Sequence, residues 1–142
     1  MYIANATTLT HAATLAMLQS AVARAEEIGQ PQCIVIVDAS GVALGQIRMN
    51  GAKFLSLKSA ESKARTAASI RAPSDAIPEA VGPAIAAATD NHVTRLGGGL
   101  PILMNGQCVG GIGVGSGSAE QDVDVAMAAL RKIGAETGAF GA

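Results

Sequence analysis

Aromatic residues are nearly absent from this chain: its 142 residues include no tryptophan, one tyrosine and two phenylalanines. Stacking platforms for unpaired bases are therefore missing. The ten basic residues, set against eleven acidic ones, are scattered rather than gathered with Tyr2, Phe54 or Phe140, and the net charge is −1. That pattern leaves no electrostatic footprint for nucleic acid. Cysteine is equally sparse. Cys33 and Cys108 stand in separate apolar segments with no Cys-x-x-Cys spacing and no histidine cluster beside them, which argues against a zinc site and makes two buried thiols the simplest reading. No apolar run approaches the roughly 18 residues of a membrane span, and Met1-Tyr2-Ile3-Ala4-Asn5-Ala6 has no positive segment leading into a long apolar one. A cytoplasmic protein that engages neither nucleic acid nor membrane is expected.

Small residues are what the chain has in plenty, seventeen glycines among them. A chain of this length makes about one domain, 1–142, and buries roughly two-thirds of its unfolded surface. Alanine and glycine let helices approach a sheet closely, yet each buries little apolar area. Pooling apolar surface between subunits would compensate, so a homo-oligomer is expected.

The densest local signals lie between Leu96 and Gly117. Asn105-Gly106 is a two-residue turn of the kind that needs positive φ at both positions, and the flanking runs Leu100 to Met104 and Gln107 to Val114 are rich in β-forming residues. A hairpin is predicted there. Ser118-Ala119-Glu120-Gln121 follows as a capping box, so a last helix starts at about Ala119 and runs to about Gly134, with an alanine-rich tail that frays. Toward the N-terminus, Thr8 or Thr10 can cap a first helix whose stripe of Leu15, Leu18, Val22 and Ala25 marks a core face, ending at Gly29. Cys33 to Val37 and Val42 to Met49 read as two strands about the turn Asp38-Ala39-Ser40-Gly41. Ser56 can cap the next helix, which carries Leu57, Ala60, Ala64 and Ala67 on one stripe and Glu61 with Arg65 as a pair on another. Pro78 and Pro83 limit Ser74 to Thr89 to one or two short helical turns, and His92 to Leu96 reads as a further strand. Helices and strands in this order suggest an α+β fold, an antiparallel sheet flanked by α-helices.

Five short motifs, in order and spacing, carry a resemblance over nearly the whole chain: Arg48-Met49-Asn50-Gly51-Ala52, Lys63-Ala64-Arg65-Thr66-Ala67-Ala68, Gly98-Gly99-Leu100-Pro101, the glycines from Gly110 to Gly117, and Glu120-Gln121-Asp122. The chain resembles the GlcG/HbpS family of haem-binding proteins, also seen as the C-terminal domain of PduO-type proteins. The resemblance implies a profilin-like fold with a five-stranded antiparallel sheet, possible use of haem, and a setting beside catabolic enzymes. Two departures stand out. Asn50 occupies a position where the family commonly has aspartate, and the family's Gly-Val-Ser-Gly is rearranged to Gly113-Val114-Gly115-Ser116-Gly117.

Within those motifs, Arg48 and Lys63 are the candidate partners for a ligand carboxylate or a haem propionate, with Asn50, Gly99, Pro101 and Gly115 as pocket-forming neighbours; solvated surface charge is the bland alternative for both cations. The glycines before the last helix match neither of the common phosphate-binding patterns, and Glu120 and Asp122 would repel a phosphate placed there. Their simplest role is as first-turn helix acids. Of the histidines, His92 sits in a loop-like context, whereas the resemblance implies histidine ligation at the first helix and makes His11 a candidate axial ligand to haem iron. Two functions follow as expectations. One is a small-ligand-binding protein, with haem as a possible ligand. The alternative is a cofactor-independent isomerase, hydratase or lyase acting on a small carboxylated metabolite of a catabolic pathway, with Lys63 and Arg48 holding the carboxylate and Glu120 or Asp122 moving a proton.

Overall fold

The computed structural model describes residues 1–138 and 140. Its elements in chain order are α1 (His11–Glu27), β1 (Cys33–Asp38), β2 (Ala43–Arg48), α2 (Ser56–Ile70), two single 3-10 turns (Ser74–Ala76 and Glu79–Val81), α3 (Gly82–Ala88), β3 (Gly99–Met104), β4 (Gln107–Gly115) and α4 (Ala119–Lys132). The strands form one antiparallel sheet in the order β2-β1-β4-β3, with α2 on one face and α1 and α4 on the other. The predicted α+β class and its helix-flanked antiparallel sheet are borne out.

Alternation along β1 shows how one strand serves two layers. Ile34 and Ile36 join the core under α1 and α4, while Cys33, Val35 and Val37 face Ala60, Ala64 and Ala68 of α2, as the two-residue period of a strand requires. The glycines of β4 set the distance to α2. A Cβ at Gly113 would be driven into the Ala60 carbonyl oxygen, one at Gly111 into that of Ala64, and one at Gly115 would stand 3.0 Å from that of Ser56. Two residues of strand advance about 6.6 Å and four residues of helix about 6.0 Å, so a glycine at every second position of β4 meets every fourth residue of α2 and the backbones touch along that contact.

Local signals mostly stand where the sequence puts them. Asn105 and Gly106 turn the β3–β4 hairpin at φ 51° and 78°, and the Ser118–Gln121 capping box opens α4 with both of its bonds. Thr10, not Thr8, caps α1 by accepting from the Ala13 amide at 3.2 Å. The Glu61–Arg65 pair forms at 2.8 Å.

Several expectations are corrected. Among the described residues the sheet has four strands, not the five implied by a profilin-like arrangement. The segment predicted as a strand from His92 to Leu96 is irregular because side chains take its backbone bonds: Thr66 Oγ1 accepts from Thr94 N, Ser74 Oγ donates to Leu96 O, and Arg95 itself reaches Ile77 O. The core face of α1 is Thr14, Met17, Ala21 and Ala25, rotated from the expected stripe, so that Leu15 is exposed and Leu18 and Val22 are half-buried. The cause is packing against α4, where small Ala21 and Ala25 admit close approach and Arg24 forks onto both Asp124 oxygens at 3.0 Å. Ser56 is the first residue of α2 rather than its cap. More helix forms after Pro73 than predicted, because Pro83 occupies the first turn of α3, where a missing N–H costs nothing. Helix α4 stops at Lys132, and the tail is anchored at its start, Glu136 N donating to Leu103 O at 3.0 Å; residues 139, 141 and 142 of that tail lie outside the described residues.

Candidate functional site

Close contact between α2 and the sheet delivers Lys63 to the end of β4. Its ammonium donates to the Val114 carbonyl at 2.8 Å and to Asp122 Oδ2 at 3.0 Å, and the two side chains are only 6% and 2% exposed. The capping box fixes the first turn of α4 and so aims Asp122, whose Oδ1 accepts from Gly117 N at 3.1 Å. Gly98, at φ 113°, lets the chain cross directly over the pair: a Cβ there would stand 2.7 Å from the Val114 carbonyl oxygen and 2.8 Å from Asp122 Cβ. Behind Gly117 lies Gln32, fully buried, with neither side-chain atom in hydrogen-bond geometry. Burial pushes the Asp122 carboxyl above its ordinary value; the Lys63 ammonium, the Gly117 amide and the nearby Gln32 amide oppose that rise without cancelling it.

A cavity of about 260 Å³ opens beside the pair, lined also by Lys53, Ser56, Ser59, Ser116, Leu96 and Gly97. Ser116 Oγ accepts from Lys53 N at 2.9 Å and Ser59 Oγ donates to Ser56 O at 3.2 Å, so the Ser116 proton and the Ser59 lone pairs stay available. Two of the three Lys63 N–H groups are used; the third has no acceptor among the described residues.

The residues singled out from sequence do not converge on one pocket. Arg48 and Asn50 line a separate groove with Glu26, Gln30, Pro31 and Met49. This groove shares Val22, Glu26 and Ile47 with an apolar cleft of about 410 Å³ that also carries Leu15, Leu18 and Ala23. His11 is exposed at the start of α1, four residues and hence one turn before Leu15. Pro101 is buried within β3 opposite Gly111, Gly99 packs on the Lys63 backbone, and neither is among the residues lining the Lys63 cavity or the α1–β2 groove. Gly115 faces Ser56 and Ser59 at the edge of the Lys63 cavity. Glu120 is exposed and away from Asp122's cavity. Of the residues that the enzyme alternative invokes, Lys63 and Asp122 share this cavity, while Arg48 and Glu120 are not among its lining residues. Lys53, Ser56, Ser59, Ser116 and Gln32 were missed, because isolated serines and a lysine after a turn carry no periodic signal. Among the described residues no cluster of His, Cys, Asp and Glu could hold a metal ion, and no helix is long and apolar enough to cross a membrane. Cys33 is buried and its thiol is pushed up by that burial, while Cys108 is half-buried.

The Asp122 shift has a measurable consequence. A carboxyl held above its ordinary value contributes stability that is complete below the unfolded pKa of about 3.9 and is lost as pH rises through the folded value. The stability advantage of the wild type over Asp122→Asn should therefore fall as pH rises above about 4. Urea denaturation across that range reads it, and a pH-independent difference would contradict the assignment.

The chain matches 36% of residues over 126 positions of the corrinoid adenosyltransferase PduO of Citrobacter freundii, covering 85% of this chain and 38% of that protein. It thus spans well under half the length of that relative. Among solved structures, a PduOC:heme complex superposes with a TM-score of 0.85 at 29% identity, over 92% of this chain and 99% of that one. The ORFY protein of Klebsiella pneumoniae superposes with a TM-score of 0.90 at 30% identity, over 96% and 98%. A family model for haem degrading proteins of the HbpS-like type matches residues 9–131, the stretch that holds both the Lys63–Asp122 pair and the α1–β2 groove. The chain belongs to the HbpS-like family.

Proposed function

We propose that this chain is a small-ligand-binding protein whose groove between α1 and β2 takes haem. One observation carries the reading: an apolar cleft walled by Leu15, Leu18, Val22 and Ile47 runs into a groove bearing Arg48. Leu15 is 60% exposed and Ile47 39% exposed, so apolar surface stands uncovered where a macrocycle needs it. The residues present fit the group. Arg48 would pair with a propionate, the leucine, valine and isoleucine side chains would cover the ring, and the His11 imidazole, one turn beyond Leu15, would ligate iron. Bound haem would supply an iron centre, and His11 is the residue that would hold it. The family match and the heme complex of a relative support this choice of ligand. The reading includes self-association, because Leu15, Leu44, Phe54, Leu55 and Leu96 all leave apolar surface exposed.

Titrating haemin into the protein while following the Soret band tests the proposal. A saturable, stoichiometric shift is expected, lost in His11→Ala and weakened roughly tenfold in Arg48→Gln, the size of one charge-assisted hydrogen bond. Light scattering of the same sample should give a multiple of the 14.1 kDa chain mass. Weak, non-saturating association that ignores His11 and Arg48 would overturn the reading.

A further inference from the structure

We infer that the Lys63–Asp122 cavity is a second ligand site, separate from the α1–β2 groove, built for a small monocarboxylate that carries a further hydroxyl or keto oxygen. Lys63 is 5% exposed, lines the cavity and keeps one N–H without an acceptor among the described residues. A buried ammonium with an unused donor facing a cavity is unsatisfied until a ligand oxygen meets it. Charge selects the ligand class. Lys53 and Lys63 are both lining residues and Asp122 is the one acid among them, so cations outnumber acids by one around the cavity, which favours a ligand with a single negative charge. A phosphate dianion would be left with an uncompensated charge beside the Asp122 carboxylate, at an energy that Coulomb's law makes large out of water.

Size and hydroxyl placement narrow it further. At about 260 Å³ the cavity suits a few carbons and excludes a tetrapyrrole. The Ser116 hydroxyl, already accepting from Lys53 N at 2.9 Å, has its proton to give, and Ser59 has lone pairs to receive one. These flank the carboxylate position with a donor and an acceptor, which a plain fatty acid cannot use. Gly97 and Gly117 keep the wall thin: a Cβ at Gly117 would stand 2.9 Å from an Asp122 carboxylate oxygen and as close to the Gln32 amide.

Isothermal titration calorimetry with lactate, pyruvate, propionate and inorganic phosphate tests the inference on the whole chain. Lactate or pyruvate should bind saturably, propionate several-fold more weakly, and phosphate more weakly than either. Lys53→Gln should weaken lactate binding roughly tenfold and Ser116→Gly several-fold. Both variants spare the core: Lys53 is exposed, and the φ of 88° at Ser116 suits glycine. Lys58→Gln, an equal charge loss on exposed α2 surface outside the cavity lining, should bind like the wild type. No saturable heat with lactate or pyruvate, phosphate binding tighter than both, or Lys53→Gln and Ser116→Gly matching the wild type would each overturn the assignment. A null lactate titration beside a saturable haemin titration would sink this site and leave the groove standing.

Discussion

Replacing Gly113 with valine should abolish the native fold. The new Cβ would collide with the Ala60 carbonyl oxygen and lie 2.7 Å from Ala64 N, both of them backbone atoms of α2 that no rotamer change can move. Relief requires lifting the helix off a central strand, which would also unseat Ala60, Ala64 and Ala68 from Val35 and Val37. Ordinary overpacking costs about 1–3 kcal/mol; separating two backbones along a whole helix belongs with the exceptional losses above about 4–5 kcal/mol. That is comparable with the entire stability of a small domain, about 5–15 kcal/mol. Far-ultraviolet circular dichroism and urea denaturation would show a lost or non-cooperative transition. Gly138→Ala, where nothing lies within 4 Å, should unfold like the wild type. A Gly113→Val protein with a wild-type midpoint would refute the backbone-contact account.

The second large effect is expected at Lys63. Lys63→Met keeps an unbranched chain in the same channel but deletes the ammonium, leaving Asp122, 2% exposed, with only the Gly117 amide and a nearby glutamine amide to face. Breaking a buried pair from one side typically costs about 3–5 kcal/mol. Asp122→Asn should cost less, because the remaining ammonium keeps its bond to Val114 O. The double variant Lys63→Met/Asp122→Leu should recover most of the loss, since it leaves no charge to desolvate. Acid should also help the single variant. With Lys63 gone, the strongest influence holding the Asp122 carboxyl down is lost, so protonation relieves the buried charge and the deficit shrinks as pH falls. Urea denaturation of the four proteins at neutral and mildly acidic pH reads both effects. Equal deficits in the single and double variants would show that the pair is packed rather than electrostatically coupled.

How far the site was legible depended on the range of each signal. Asp122 was visible as a first-turn acid after a capping box, and Lys63 as a cation within a motif, but nothing local joined two residues 59 positions apart. The motifs pair Arg48 with Lys63 as cations, one ending a strand and the other on a helix. The three layers separate them, α1 and β2 claiming Arg48 while α2, β4 and α4 enclose Lys63. Periodicity marks Leu15, Leu18 and Val22 as core, yet α4 takes the neighbouring face of α1, which leaves Leu15 exposed and Leu18 and Val22 half-buried along a cleft.

Taken by itself, the order of residues determined the turn at Asn105-Gly106, the cap at Ser118, the α+β class and the family, because each rests on backbone preferences or on short motifs within a few neighbours. Only the tertiary structure decided which face of α1 is buried, that His92 to Leu96 gives its backbone to side chains instead of a strand, and that Lys63 meets Asp122 beside one cavity while Arg48 lines another. Those outcomes depend on how the layers stack, and stacking is settled by contacts between residues distant in sequence, above all the glycines of β4 that let α2 lie backbone to backbone on the sheet.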